Sequence, residues 1–121
     1  MKTILIVDDE EKIREVVASY LQNEGYATVE AGTGNKALEL VRGGNVDLLI
    51  LDLMLPGMDG YQVCRLLKFD EKFRHIPIIM LTAKSQKDDK EWGAKVGANF
   101  YLTKPFEASE LLGKIKELIG A

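Results

Sequence analysis

Four acidic residues in a row, Asp8 to Glu11, directly follow the short apolar run "TILIV". Asp52, Thr82 and Lys104 each end or follow a further apolar run. Carboxylates alone at such a position repel one another, but with a divalent cation they can form a binding site. Together with a hydroxyl and an ammonium group they can also cradle a transferred phosphoryl group, with one acid as the nucleophile. This chemistry requires the fold to bring all of these residues to one place.

Apolar runs and helix-like stretches alternate along the whole chain. We predict strands at residues 3–7, 26–30, 47–51, 77–82 and 99–103, and helices at 11–25, 35–44, 61–69, 87–98 and 109–119. This alternation predicts an α/β fold, a doubly wound parallel sheet with helices on both faces. The first, third and fourth strands are almost wholly apolar and belong in the centre, whereas the second and fifth are more polar. The expected strand order is therefore 2-1-3-4-5, the flavodoxin-like order.

The carboxyl ends of the predicted strands carry the chemically active residues. Ligands of such sheets bind outside the carboxyl ends, where the strand order reverses, here between the first and third strands. Asp8, Asp9 and Asp52 should converge there, with Thr82 and Lys104 on the neighbouring strands. A set of oxygen ligands with room for waters and a phosphate favours Mg²⁺ over zinc.

Each of these residues also has a purely structural interpretation. Asp8 to Glu11 could cap the first helix and favour its dipole. Asp52 could be a turn residue, Thr82 could fill a strand end, and Lys104 could be an exposed surface charge. The functional interpretation depends on all of them lying at the carboxyl ends of adjacent strands.

Bulk properties indicate one ordinary globular domain over residues 1–121. Apolar residues make up 46% and charged residues 29% of the 121 residues, which argues against disorder. The net charge of −3 argues against direct nucleic-acid binding. The single cysteine excludes an internal disulfide, and no apolar run is long enough for a signal peptide or a membrane span. We therefore expect a cytoplasmic domain with no membrane contact.

Four motifs, "ILIVDDE", "LLILDLMLPGMDG", "PIIMLTA" and "GANFYLTKPF", occur in one order along the chain. In this order and spacing the sequence resembles the receiver domain of bacterial two-component response regulators, the CheY-like fold. The resemblance implies a Mg²⁺-dependent phosphoryl transfer to Asp52, with Mn²⁺ as a possible substitute. The donor would be a phosphohistidine of a sensor histidine kinase or a histidine phosphotransfer protein. The resemblance also implies a phosphoacceptor rather than a turnover enzyme.

The resemblance further assigns roles to individual residues. Asp9, Asp52 and the Met54 main-chain carbonyl would bind the metal directly, and Asp8 partly through water. Lys104 would contact the phosphate, and Thr82 and Tyr101 would form a switch pair. The peptide bond between Lys104 and Pro105 should be cis, an isomer accessible to X-Pro bonds.

The switch pair would change the surface formed by the helix at 87–98, the last strand and the last helix, and so control an unknown partner or output domain. Met54, Ala83 and Lys84 would tune the phosphoform, with Met54 and Lys84 slowing hydrolysis. The last helix contains Gly113 and lacks arginine, so we expect a monomer or a weak dimer. Asn99 and Phe100 stand where the family often has an acidic pair.

Three other functions fit the predicted fold less well. A flavodoxin-type protein must accept a phosphate at its first loop, which "DDEE" would repel. A phosphatase with an aspartyl nucleophile would have a second acid two residues after Asp52, where this chain has Met54. A receiver-like module that is never phosphorylated would have lost one of the acids or the lysine.

Overall fold

The computed structural model describes residues 1–83 and 97–120. Its strands are β1 (Thr3–Val7), β2 (Ala27–Ala31), β3 (Leu48–Asp52), β4 (Ile78–Ala83) and β5 (Phe100–Lys104). The helices in these described ranges are α1 (Glu11–Asn23), α2 (Gly34–Arg42), α3 (Gly60–Lys68) and α4 (Ala108–Ile119). The helix predicted at 87–98 lies almost wholly outside the described residues. Within the described residues, no helix has the length and apolar character needed to cross a membrane.

The five strands form one parallel sheet in the order β2-β1-β3-β4-β5, which confirms the predicted topology. Leu51 of β3 pairs with Val7 of β1 on one side and with Met80 of β4 on the other. The carboxyl ends of these three strands therefore lie at the same edge of the sheet, where successive side chains point to opposite faces.

Helices cover both faces of the sheet, which explains why the central strands are apolar throughout. Alternate strand residues point to opposite faces. Ile6 and Ile50 pack against α1 and α4 on one face, and Leu5 and Leu49 pack against α2 and α3 on the other. All four are at most 1% exposed. Burial of each such side chain stabilises the fold by roughly 1.5–3 kcal/mol.

Strands β2 to β5 each begin and end one residue later than predicted, and polar side chains account for the later starts of β3 and β5. The Asp47 carboxylate, rather than a strand main chain, accepts a hydrogen bond from the Thr3 N–H at 2.8 Å. The Asn99 side chain does the same for the Ile78 N–H at 2.9 Å. Asn99, which stands in place of an acidic residue, therefore extends the pairing of β4 with β5. The shift also makes Asp52 the last residue of its strand.

Helix α1 agrees with the predicted pattern except at one position. Val17 and Leu21 are buried and Ile13 packs against the same core, but Val16 is 70% exposed. The position of Val16 on the helix lies beyond the edge of the buried stripe. Gly25 follows the helix with φ +94°, and its N–H donates to the Gln22 carbonyl, so this glycine ends the helix.

The one cysteine of the chain lies in the core. Cys64 on α3 is 0% exposed and packs among apolar side chains between α3 and the sheet. Burial raises the pKa of its thiol to about 11. The thiol is therefore inaccessible and protonated at neutral pH.

Candidate functional site

Lys104 joins two carboxylates at the carboxyl edge of the sheet. Its Nζ donates to Asp52 Oδ2 at 2.9 Å and to Asp8 Oδ2 at 3.2 Å. The Asp8 and Asp52 side chains are 1% and 7% exposed, and the Lys104 side chain is 28% exposed. Residues from the ends of β1, β3 and β5 thus meet, although they are separated by 44 and 52 positions in the chain.

Asp8 is held by hydrogen bonds at every polar group. Its N–H donates to the Ala31 carbonyl at 3.1 Å, and its Oδ1 accepts from the Glu10 N–H at 2.9 Å. Its main-chain carbonyl accepts from Arg14 Nη1 at 2.7 Å. With Lys104 on Oδ2, this buried carboxylate has one defined orientation.

The neighbouring acids extend the site toward solvent. Oxygens of Asp8, Asp9 and Glu10 all lie within 4.8 Å of one another, and Asp9 and Glu10 are exposed. Glu10 occupies the N-cap position of α1, and no side-chain hydrogen bond caps this helix. The acidic run therefore does not cap α1 through a side chain, although Glu11 lies in its first turn, where it favours the helix dipole. The sequence prediction also did not single out Glu10, whose place in the cluster follows from the turn between β1 and α1.

Asp52 is fixed from the main-chain side as well. Its Oδ1 accepts a hydrogen bond from the Met54 N–H at 3.1 Å, so both of its carboxylate oxygens have donors. Helix α3 begins immediately beside it: a Cβ built on Gly60 would lie 2.6 Å from the Asp52 carbonyl oxygen. Only glycine permits this close approach.

The two central charges shift each other's protonation. Burial raises the pKa of Asp52, and although Lys104 and the Met54 N–H lower it, the pKa remains above its ordinary value. Burial lowers the pKa of Lys104, but the hydrogen bonds and charges of Asp52 and Asp8 outweigh burial and raise it. Lys104 is therefore an ammonium at neutral pH. A carboxylate with a raised pKa is also a better nucleophile than an exposed one.

Thr82 and Tyr101 lie on the other face of the sheet. Thr82 is buried, one residue beyond Leu81, which pairs with Asp52. By strand alternation, Thr82 shares a face with Tyr101, which packs against the core under α2 and α3. Lys104 and Asp52 alternate onto the opposite face. The structure thus brings Lys104 into direct contact with both Asp8 and Asp52, whereas Thr82 and Tyr101 point to the opposite face of the sheet.

The remaining predicted residues surround this arrangement. The Met54 side chain is 63% exposed beside Asp52. Ala83 is the last residue of β4, and Lys84 lies outside the described residues. The peptide bond between Lys104 and Pro105 is cis.

A family model of the response regulator receiver domain matches residues 4–116 of this chain. The chain belongs to this family. The receiver is 48% identical over 118 residues to the phosphate regulon transcriptional regulatory protein PhoB of Pseudomonas aeruginosa. The match covers 98% of this chain and 52% of PhoB, so the receiver spans about half the length of the curated relatives it matches.

Two solved structures resemble the receiver over nearly their whole length. The chemotaxis protein CheY4 of Vibrio cholerae has a TM-score of 0.91 and 32% identity, with 98% of this chain and 99% of that chain covered. The receiver domain of the Pseudomonas aeruginosa sensor histidine kinase PA1611 has a TM-score of 0.89 and 32% identity, with 99% and 98% covered. That structure has a magnesium ion coordinated in its active-site cleft.

The acidic cluster of this receiver suits the same kind of ion. Asp8, Asp9 and Glu10 offer only carboxylate oxygens, which are hard ligands, and the described site has an exposed side where waters can complete the coordination. Thiol or imidazole groups, the usual ligands of zinc, do not belong to this cluster. The donor set therefore fits Mg²⁺.

Proposed function

We propose that this receiver accepts a phosphoryl group on Asp52 from the phosphohistidine of a sensor histidine kinase or a histidine phosphotransfer protein. The observation that carries the proposal is the Lys104 ammonium held between the buried carboxylates of Asp8 and Asp52. A buried acid beside a fixed cation, at the open edge of the sheet, has the arrangement that phosphoryl transfer requires.

In the proposed step a carboxylate oxygen of Asp52 attacks the phosphorus atom. The new phosphorus–oxygen bond forms as the phosphorus–nitrogen bond breaks, and the electron pair of that bond leaves with the donor imidazole, which takes up a proton. The Met54 N–H holds Oδ1 in place. The Lys104 ammonium, already on Oδ2, can transfer a hydrogen bond to the phosphoryl oxygens as negative charge develops there.

Asp8, Asp9, Asp52 and the main-chain carbonyl of Met54 would hold the Mg²⁺, and Mn²⁺ would substitute for it. The ion supplies positive charge that offsets the repulsion between the carboxylates and the incoming phosphate. The residues themselves orient the acceptor: the Met54 N–H and the Lys104 ammonium each hold one oxygen of the Asp52 carboxylate. On this basis the receiver is a phosphoacceptor that assists its own phosphorylation, not a turnover enzyme.

Phosphorylation would change the surface of the receiver. Thr82 would turn to hydrogen-bond the phosphoryl group, and Tyr101 would occupy the space that Thr82 leaves. The affected surface would comprise residues 87–98, β5 and α4, and it would control a partner or an output domain. The receiver itself would act in the cytoplasm as a monomer or weak dimer, without direct contact with nucleic acid or membrane.

Met54, Ala83 and Lys84 would set the lifetime of the phosphoform. Hydrolysis requires an oriented water in line with the phosphorus–oxygen bond, and the Met54 thioether is a poor partner for such a water. Lys84 stands two residues after Thr82, and its long side chain carries an ammonium that would cover the phosphoryl oxygens. We expect Met54→Asn with Lys84→Glu to release phosphate faster than wild type. Equal rates of phosphate release from the two purified phosphoproteins would contradict this.

The direct test compares two acids at opposite ends of β3. Wild type, Asp52→Asn and Asp47→Asn are incubated with acetyl phosphate and Mg²⁺, and the intact proteins are weighed by mass spectrometry. Wild type and Asp47→Asn should gain one phosphoryl group, and only when Mg²⁺ is present, whereas Asp52→Asn should gain none. Labelling of Asp52→Asn at the wild-type level would show that Asp52 is not the acceptor.

A further inference from the structure

Arg14 lies behind the acidic cluster and binds it through the main chain. This residue is in the first turn of α1, and its side chain is 17% exposed. Its Nη1 donates to the Asp8 carbonyl oxygen at 2.7 Å, a short charge-assisted hydrogen bond. Its Nε donates to Glu30 Oε1 on β2 at 3.2 Å. The guanidinium therefore joins α1, β2 and the turn that carries the candidate metal ligands.

The peptide group that Arg14 binds connects Asp8 to Asp9. Because a peptide unit is planar, fixing the Asp8 carbonyl also fixes the direction of the Asp9 N–H and of the chain that follows. Asp9 and Glu10 are exposed, and their side chains have no structural partner that could replace this restraint among the hydrogen bonds described for residues 1–83 and 97–120. The spacing of the three carboxylates thus depends on two restraints, the bond from the Glu10 N–H to Asp8 Oδ1 and the Arg14 contact on the other side of the main chain.

Two neighbouring residues, Glu30 and Gly32, hold the guanidinium of Arg14 in this position. Glu30 forms an ion pair with Arg14, so Glu30 rather than the acidic cluster balances the guanidinium charge. Gly32 leaves the necessary space: a Cβ built there would lie 3.2 Å from Nη1. The planar fork of arginine can reach Glu30 and the Asp8 carbonyl together, whereas a lysine ammonium is a single point of charge on a flexible stem.

We propose that Arg14 is a positioning residue for divalent-cation binding, which holds the peptide between Asp8 and Asp9 so that their carboxylates are spaced for the ion. This inference rests on the proposed function of the acidic cluster as the Mg²⁺ site. Partners that orient metal ligands typically change metal affinity by 10–100-fold when removed. Because Arg14 acts through a main-chain carbonyl, we expect its loss to weaken Mg²⁺ binding by about tenfold, the lower end of that range.

The experiment measures Mg²⁺ affinity by isothermal titration calorimetry in wild type, Arg14→Met, Arg14→Lys and Lys36→Met. Lys36 is the matched control, because it is also a cation paired with a glutamate, at 3.7 Å, but on the exposed surface of α2. We expect Arg14→Met to raise the Kd about tenfold and Arg14→Lys to raise it by a smaller factor. Lys36→Met should keep the wild-type Kd. At saturating Mg²⁺, labelling by acetyl phosphate should recover in both Arg14 variants.

The outcomes separate positioning from simple structural support. A lower melting temperature of Arg14→Met with an unchanged Mg²⁺ Kd would overturn the inference. If Arg14→Met does not fold, a wild-type Kd in Arg14→Lys would overturn it equally. If wild type binds Mg²⁺ but is never phosphorylated by acetyl phosphate, the proposed function is refuted. The comparison of Mg²⁺ Kd values between wild type and the Arg14 variants would still test the role of Arg14. A wild type that binds no Mg²⁺ would refute both.

Discussion

The two ends of the sheet use polar side chains in opposite ways. At the amino end, Asp47 and Thr3 exchange two hydrogen bonds, from the Asp47 N–H to the Thr3 carbonyl and from the Thr3 N–H to the Asp47 carboxylate, both at 2.8 Å. Asn99 and Ile78 exchange an equivalent pair, both at 2.9 Å. In both cases a polar side chain satisfies a main-chain group that would otherwise lack a strand partner.

At the carboxyl end, by contrast, polar side chains bind one another. The buried carboxylates of Asp8 and Asp52 share the ammonium of Lys104, and two exposed acids, Asp9 and Glu10, lie beside Asp8. Negative charge exceeds positive charge there, so a bound cation should stabilise the site. The amino end therefore contributes to stability alone, whereas the carboxyl end retains unsatisfied charge that a ligand can use.

The largest expected effect is the removal of the cation at the carboxyl end. In Lys104→Met two buried carboxylates would face each other without compensation. Removing one partner of a buried ion pair destabilises by 3–5 kcal/mol, and because Lys104 is partly exposed we expect about 3 kcal/mol. The pKa of Lys104 is raised, so its contribution is fully present at neutral pH and is lost only as the pH rises through that raised value. Urea unfolding at pH 7 measures the loss.

Unfolding measurements with and without Mg²⁺ distinguish the loss of the Lys104 charge from a general loss of packing. Mg²⁺ at ten times its Kd stabilises a folded protein by about 1.4 kcal/mol. The gain should be larger in Lys104→Met than in wild type, since the ion then replaces the missing cation without competing with the ammonium. A variant as unstable with Mg²⁺ as without it would contradict the account of the carboxyl end.

A smaller effect is expected at the amino end of the same sheet. Asp47→Ala leaves the Thr3 N–H without its acceptor and should destabilise by about 1.5 kcal/mol, a typical value for a hydrogen bond to a charged group. Asp47→Asn keeps an acceptor oxygen and should recover most of this loss. The stabilisation by Mg²⁺ should be the same in both variants as in wild type. A reduced response to Mg²⁺ in Asp47→Ala would show that the two ends are coupled.

The smallest expected effect concerns Tyr26, also at the amino end. Its hydroxyl donates to the Gly120 carbonyl at 3.0 Å, and Tyr26→Phe should destabilise by about 1 kcal/mol. Burial, with a contribution from the charge of Glu24, raises the pKa of Tyr26. The stabilising effect of the phenol is therefore fully present below its ordinary pKa of about 10 and is lost as the pH rises through the raised value. Unfolding free energies of the two proteins should differ by a constant amount from pH 6 to 9 and converge above about pH 10.

Much of the fold could be predicted because it follows from apolar patterning. Continuous apolar runs such as residues 48–51 can form only where helices cover both faces, which identifies the central strands. The order of the strands then places Asp8, Asp52 and Lys104 at one edge. The family resemblance drawn from the motifs is confirmed by the match over residues 4–116.

The features that could not be predicted depend on the course of the main chain in turns and at strand ends, and on the width of the buried face of a helix. The later starts of β3 and β5 arise because the side chains of Asp47 and Asn99, rather than their main-chain carbonyls, accept hydrogen bonds from the neighbouring strands, which strand propensity does not describe. The exposure of Val16 depends on the width of the buried stripe. Arg14 had a weak signal, a lone arginine beside apolar positions of α1, but its bond to the Asp8 carbonyl depends on how the chain turns between β1 and α1.

The buried Cys64 makes this receiver convenient for site-specific fluorescent labelling. Because its thiol is inaccessible and its pKa is raised to about 11, maleimide reagents at neutral pH should leave it unmodified in the folded protein. A cysteine introduced on the surface would then be the sole point of dye attachment, with no need to replace the native one. Met54, 63% exposed on the loop beside Asp52, is the natural choice. A dye there would report on events at the acidic cluster in real time.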